Sequence, residues 1–416
     1  MQGDIRRVTP PRQAPPSGLR RIQIESFFHS RFADDVGWIY RNVIRPVLFS
    51  RESETVHNET IDALAWMSRH PSLCDLAASF YEAPELPVHL WGLRFANPVG
   101  LAAGMDKKAV AAPIWPSLGF GFSELGGVTR WGQPGNDAPR MFRLVAEEAL
   151  INRMGFNNPG ADEVARTLSQ WRAHGRWPAH PVGINLGKSK VTALEDAAED
   201  YAYSFRALWG LADFFVVNVS SPNTPNLRQL QDRDALREIL LRLHSVQNEL
   251  VVGKSSPAGP AASLITKKPI LVKVAPDLTW EALDDIVGLV ESCQLSGIVA
   301  TNTTLARPDS MDPAARRVLS ESGGLSGRPL RQRSTEVVRH LYRQLQGRVP
   351  IVGVGGVFTA EDAWEKIVAG ASLVQIYSGL VYEGPGICAD IVSGLKEKVA
   401  SAGLRSISEA VGMEAR

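Results

Sequence analysis

The sequence predicts an α/β protein, a (β/α)8 TIM barrel preceded by a small N-terminal helical domain. Three observations predict it. From residue 97 on, eight short apolar runs alternate with stretches of helical periodicity. The runs are short and apolar, which suits strands covered on both faces by helices. Nearly every run ends in polar residues or glycine, as barrel strands do where they face a shared site.

The chain has 416 residues, enough for one large barrel and a small extra module. A hydrophobic share of 44% with 21% charged residues fits a soluble globular protein, and a net charge of +1 gives no global pull toward nucleic acid. Cys74, Cys293 and Cys388 are too far apart for a CxxC pair, a disulfide framework or a zinc site. They read as small buried hydrophobes in a reducing compartment, and no metal is expected. No stretch approaches the ~18 consecutive apolar residues of a membrane-spanning helix, and no secretory h-region follows the first charges.

The expected organisation is a disordered Arg/Pro-rich tail over 1–25, a helical cap over 26–88 and the barrel over 89–416. In its first 21 residues, five arginines oppose Asp4 alone, so the tail reads as solvated or as touching an anionic membrane surface. In the cap, Phe28, Phe32, Val36, Ile39, Tyr40, Val43 and Val47 recur at helical spacing, and Pro46 is expected to end that run. Ile61, Leu64 and Ala65, then Leu73, Leu76, Ala77 and Phe80, predict two more short amphipathic helices. Pro84 and Pro87 read as a linker. Two readings of the cap stand: helices burying one face on their own barrel, or a pair with an apolar cleft open to a membrane or lipid-like ligand.

The eight strands are expected to begin near Pro98, Phe122, Val182, Phe214, Ile270, Gly297, Ile351 and Leu373. Thr192 with Glu195, and Thr359 with Asp362, have capping-box spacing. The long connections 128–180 and 305–330 read as lids or binding loops, and 251–268 as a surface insertion without catalytic content.

Chemistry gathers at the strand ends. Asn218-Val-Ser-Ser-Pro-Asn-Thr224 directly follows the apolar run Phe214–Val217. So many polar side chains there make a poor core, and read either as a backbone-satisfying turn or as part of an active site. Gly355, Gly356 and Ser378, with a capped helix at Thr359, match the place where barrels hold phosphate after strands seven and eight. Lys273, inside Ile-Leu-Val-Lys-Val, reads as a Schiff-base lysine, as a cation against developing negative charge such as a reduced flavin, or as a snorkelling strand-end side chain. No Gly-x-Ser-x-Gly elbow, Walker loop or histidine near Ser221 in sequence supports a rival chemistry. Without an evident base, Ser221 suits proton transfer better than nucleophilic attack.

Seven ordered motifs, at 100–107, 151–157, 183–188, 218–224, 300–304, 323–330 and 353–356, resemble class 2, quinone-dependent dihydroorotate dehydrogenase of the bacterial type. The likeness runs from about residue 27 to near the C-terminus, and the helical segment before the barrel marks the membrane-associated class. The resemblance implies oxidation of (S)-dihydroorotate to orotate in pyrimidine (UMP) synthesis. FMN would take the hydride and a membrane quinone would reoxidise it. The expected protein is a monomer, peripheral on the cytoplasmic side of the inner membrane. The alternative is another FMN-dependent barrel oxidoreductase using a soluble acceptor such as fumarate or NAD.

By motif position the resemblance makes Ser221 the base for the C5 proton, with Thr224 and Phe156 on its proton path. Lys107, Asn152, Arg153, Met154, Gly155, Phe156, Asn218, Asn223, Asn302 and Thr303 would hold the substrate. The flavin would contact Ala103, Gly104, Met105, Asp106, Lys107, Gly127, Asn152, Asn185, Asn218, Lys273, Thr301, Gly327, Gly356, Tyr377 and Ser378, with Lys273 stabilising the reduced ring. His57 and Arg143 match positions lining the quinone entrance. The class 1 base is a cysteine, whereas this loop has Ser221. The family usually has Ser or Thr where this chain has Gly127, and 251–268 is longer than the family pattern.

Overall fold

The computed structural model describes residues 37–224, 226–252 and 267–415. The tail, the helical run at Phe28, Phe32 and Val36, and nearly all of the 251–268 stretch lie outside them. Eight parallel strands close into a barrel in sequential order: β1 (Val99–Leu101), β2 (Phe122–Val128), β3 (Val182–Leu186), β4 (Phe214–Asn218), β5 (Ile270–Val274), β6 (Gly297–Ala300), β7 (Ile351–Val354) and β8 (Leu373–Ile376). All eight lie where the apolar runs place them. Every residue of these strands is buried, as expected for a parallel sheet covered by helices.

The N-terminal end of the barrel is plugged by aromatic side chains. A hairpin, Val88–Leu90 with Leu93–Phe95, follows the proline linker and brings Phe95 edge-on to Phe122, ring centroids 5.5 Å apart. Glycines make room for the plug. A Cβ on Gly100 would lie 2.3 Å from the Phe122 ring, and one on Gly183 would lie 2.2 Å from the Phe214 ring. With one end filled by apolar groups, the polar groups of the strand ends are left to the other.

Two long connections fold over that open end. Met141–Leu144 and Ala149–Asn152 form a hairpin, and Gly324–Gly327 pairs with its second strand, so residues after β2 and after β6 share one three-stranded sheet. Arg307 fastens the second connection by donating to the carbonyls of Leu319, Glu321 and Gly323.

The cap contains the helices Arg45–Phe49, Ser53–Ser68 and Pro71–Tyr81. Pro46 does not end its helix. It sits in the first turn of Arg45–Phe49, directly after a π-turn at Tyr40–Ile44, where a missing N–H costs little. The Thr359–Asp362 capping box forms in both directions, at 3.2 and 3.0 Å. Thr192 does not cap. Its helix starts five residues later at Ala197, and its hydroxyl donates instead to Asp200 Oδ2 at 2.6 Å. No helix among the described residues is long and apolar enough to cross a membrane.

Candidate active site

A cleft at the open end of the barrel gathers side chains from all eight strands or their following loops, with about 1040 Å³ of empty space including its open mouth. On its floor, three asparagines form a hydrogen-bonded chain with one sense. Asn302 Nδ2 donates to Asn218 Oδ1 at 3.3 Å, Asn218 Nδ2 to Asn185 Oδ1 at 2.9 Å, and Asn185 Nδ2 to Glu124 Oε1 at 2.6 Å. Glu124 is fully buried on β2. Its other oxygen accepts from Gln375 Nε2 at 2.6 Å, and the Lys273 ammonium stands 3.7 Å from Oε1. Lys273 therefore points into the barrel and is paired. That removes the snorkelling reading.

Ser221 is buried on the loop after β4, and its Oγ accepts the Asn223 backbone N–H at 3.3 Å. Asn223 Nδ2 donates across the cleft to Asn152 Oδ1 at 3.2 Å. Asn223 Oδ1 and Thr224 Oγ1 are buried without a hydrogen-bond partner. Unpaired buried oxygens are costly, so both mark places where a bound molecule or water completes the bonding.

The far end of the cleft is a glycine cradle. Gly355 and Gly356 have φ of +124° and +69°, and a Cβ on Gly356 would lie 2.5 Å from Arg331 Cβ. Only glycine fits there, and it leaves backbone N–H groups uncovered. Ser378 and Ser326 meet at 2.9 Å across the mouth. Behind the cradle lies Lys366, fully buried. It donates to Ser334 Oγ at 2.6 Å, and that hydroxyl contacts the Gly355 carbonyl at 3.0 Å. Burial pulls the Lys366 ammonium down to about 7. The cleft thus offers a cation at Lys273 on its floor and a glycine cradle that suits an anionic group.

The lid loop is held by Asn136, whose Nδ2 donates to the carbonyls of Arg153 and Asn223, both at 2.9 Å. Phe156 lies in this loop with φ of +53° and fits its ring between two glycines. A Cβ on Gly127 would come within 2.6 Å of it, and one on Gly187 within 3.0 Å. Gly127 therefore leaves room for an aromatic ring as well as lacking a hydroxyl. At the cleft wall, burial pushes the Lys107 ammonium down to about 8, with Glu54 pulling it back up.

A second, apolar cavity lies beneath the cap, lined by Val56, His57, Ile61, Leu64, Arg143 and Leu380 among others. Tyr377 lines both cavities. Burial, reinforced by Lys107 and Lys108, holds His57 down at about 3, so its ring is neutral near pH 7. The Arg143 guanidinium lies 4.5 Å over the Phe49 ring and donates to the Arg51 carbonyl at 2.7 Å.

The cleft lining brings together Ala103, Gly104, Lys107, Gly127, Asn152, Met154, Gly155, Phe156, Asn185, Asn218, Ser221, Asn223, Lys273, Thr301, Asn302, Thr303, Gly327, Gly356, Tyr377 and Ser378. Four expected residues stand elsewhere. Met105 faces the apolar cavity. Asp106 is fully buried and accepts from the backbone N–H groups of Val110 and Ala111, which spends its carboxylate on a turn. Arg153 turns outward to Glu321 at 2.7 Å and stacks over Phe142. Thr224 lies just behind the lining. Glu124 and Gln375 escaped the sequence reading, although each is a polar residue within an apolar strand, the same signal that singled out Lys273.

A family model described as Dihydroorotate dehydrogenase matches residues 85–399. The chain is 51% identical to a Dihydroorotate dehydrogenase (quinone) of Gloeobacter violaceus, over 90% of this chain and 98% of the relative. It is 49% identical to one of a Nostoc species, over 90% and 99%. A crystal structure of DHODH from Eimeria tenella in complex with ferulenol superposes with a TM-score of 0.77 at 35% identity, covering 89% of this chain and 99% of that one.

Proposed function

The chain belongs to the dihydroorotate dehydrogenase family, in its quinone-dependent class, and from that premise we propose that it oxidises (S)-dihydroorotate to orotate in pyrimidine synthesis with FMN as its flavin and a membrane quinone as the final acceptor. The observation that carries this reading is the pair of cavities sharing Tyr377: one polar, with a serine, an amide floor and a glycine cradle, the other apolar and covered by helices. A polar ring substrate and a greasy acceptor can then use separate entrances. A soluble acceptor such as fumarate or NAD leaves the apolar cavity without a purpose.

In this reading, bound FMN would supply a hydride acceptor for C6 of the substrate and a two-electron link to the quinone. Gly355, Gly356 and Ser378 would hold its phosphate through backbone N–H and hydroxyl donors. Lys273 would sit against the ring, offering positive charge where negative charge develops. Lys107 would pair with the substrate carboxylate, and Asn152, Asn218, Asn223 and Asn302 would orient the ring by directional hydrogen bonds. Ser221 would take the C5 proton, with the unpartnered Thr224 hydroxyl next on its way out. Phe156, held between Gly127 and Gly187, would keep bulk water from the serine. His57 and Arg143 would line the quinone entrance.

The cap supports a peripheral membrane position. Trp38, Val43, Val47, Trp66 and Phe80 are exposed apolar side chains on its helices, a pattern suited to lying on a lipid surface. The division into a helical cap and a barrel that functions as the catalytic unit is part of this proposal. The test is to add dihydroorotate anaerobically to the purified protein, then quinone, following flavin absorbance. Bleaching followed by recovery with quinone, and not with fumarate or NAD, is expected. A flavin that never bleaches would overturn the substrate.

A further inference from the structure

Glu124 takes no part in the mechanism above, yet its buried carboxylate meets side chains from three other barrel strands. Both of its oxygens accept amide N–H groups at 2.6 Å, from Asn185 on β3 and Gln375 on β8. Lys273 on β5 stands 3.7 Å from it. Through Asn185, the donor chain continues to Asn218 and Asn302. An isolated chain of primary amides can point either way, because each offers a donor and an acceptor. A terminal group that only accepts removes that freedom. It does so directly at Asn185, while Asn218 and Asn302 are held in the same sense by the backbone N–H groups of Ser220, to Asn218 Oδ1 at 3.3 Å, and of Thr303, to Asn302 Oδ1 at 2.8 Å.

We propose that Glu124 is a positioning residue on the floor of the flavin site, whose buried negative charge offsets the Lys273 ammonium 3.7 Å away. The inference rests on the reading of the cleft as a flavin site. The carboxylate is fully buried and the amides hydrogen-bonding it are buried too, so its charge is poorly screened. A negative charge beside Lys273 weakens the stabilisation that the lysine gives to a reduced, anionic ring. Glu124 therefore holds the bound flavin at a lower potential than Lys273 alone would set, which favours handing electrons on to the acceptor.

Glu124→Gln removes the charge and keeps the hydrogen bonds. The Oε1 of Gln375 has no partner, so its amide can turn over and accept from the new Gln side chain. The Asn chain keeps its sense while the charge disappears. The measurement is the midpoint potential of the bound flavin, by equilibration with a reference dye. The expected result is a shift to more positive potential of roughly tenfold in the equilibrium, about 30 mV for a two-electron couple. The KM for dihydroorotate should stay close to the parent value. Gln375→Leu is the second variant. It strips a donor from the carboxylate and leaves the charge less compensated, so the potential should move the other way. Equal potentials in the parent and whichever variant folds would overturn the inference, as would shifts of the same sign in both. A parent protein that carries no flavin would instead overturn the function proposed above.

Discussion

Glu54 on the cap helix Ser53–Ser68 and Arg140 in the lid over the barrel mouth form a two-pronged ion pair, Nη2 to Oε1 at 2.6 Å and Nε to Oε2 at 2.9 Å. The same guanidinium donates to the Asn136 carbonyl at 2.6 Å, and the Asn136 amide holds both Arg153 and Asn223. Four residues thus connect the cap to the loop carrying Ser221. Both members of the pair are largely buried, and removing one partner of such a pair costs about 3 kcal/mol or more. Glu54→Gln should lower the unfolding free energy by an amount of that order in urea titrations. A loss under about 0.5 kcal/mol, typical of an exposed pair, would sink the prediction.

Ser221→Ala should keep its flavin and lose reduction by dihydroorotate by about 10²- to 10⁴-fold, the range for removing a general base. Stopped-flow reduction under anaerobic conditions measures it. Unchanged reduction would remove Ser221 from the base role.

Lys107 sets an expected alkaline limit. Burial is the main cause of its fall to about 8, so the ammonium is present below that pH and lost above it. A substrate carboxylate needs the charged form, so kcat/KM should fall as pH rises through about 8. Glu54 is the main group raising this lysine, and Glu54→Gln should move the limb to lower pH. A limb that stays put in that variant would break the link between the two residues.

Lys366 should appear in the pH dependence of stability. Burial brings it from 10.5 to about 7 in the folded protein. Between those values the unfolded chain holds more protons, so this residue adds stability as pH rises from about 7 toward 10.5. Below about 7 the full cost of burying the charge remains. The effect of Lys366→Met on unfolding free energy should therefore be more favourable at pH 6 than at pH 10, by as much as about 4 kcal/mol. The same effect at both pH values would contradict the assignment.

The cap surface predicts a separable defect. Val43 and Val47 are 52% and 64% exposed. A Val43→Asp/Val47→Asp double variant should bind lipid vesicles several-fold more weakly in sedimentation assays, since charges in an apolar contact are strongly disfavoured. Its anaerobic reduction by dihydroorotate should be normal. Unaltered vesicle binding would remove these helices from the membrane contact.

The eight strands were readable because each is a short, local apolar run between polar ends, a pattern fixed within a few residues. The Thr359 capping box was readable for the same reason, since its partners stand three residues apart. Thr192 has the same spacing but spends its hydroxyl on Asp200, a partner that only folding brings near. Pro46 misled because the π-turn before it absorbs the break. The site residues were legible mainly through a family resemblance. The polar strand ends by themselves left a turn and an active site equally open.

By itself, then, the sequence determined the order and position of the barrel strands, the helical character of the cap, and the Ser/Asn-rich loop at Ser221, because hydrophobic period and turn chemistry act locally. Only the tertiary structure decided which way Lys273 points, that Asp106 and Arg153 turn away from the cleft, and that Glu124 closes a row of amides drawn from β3, β4 and the loop after β6. Barrel closure decides those points. It sets side chains from distant parts of the chain within 4 Å of one another, and a buried polar group then takes whichever partner closure provides.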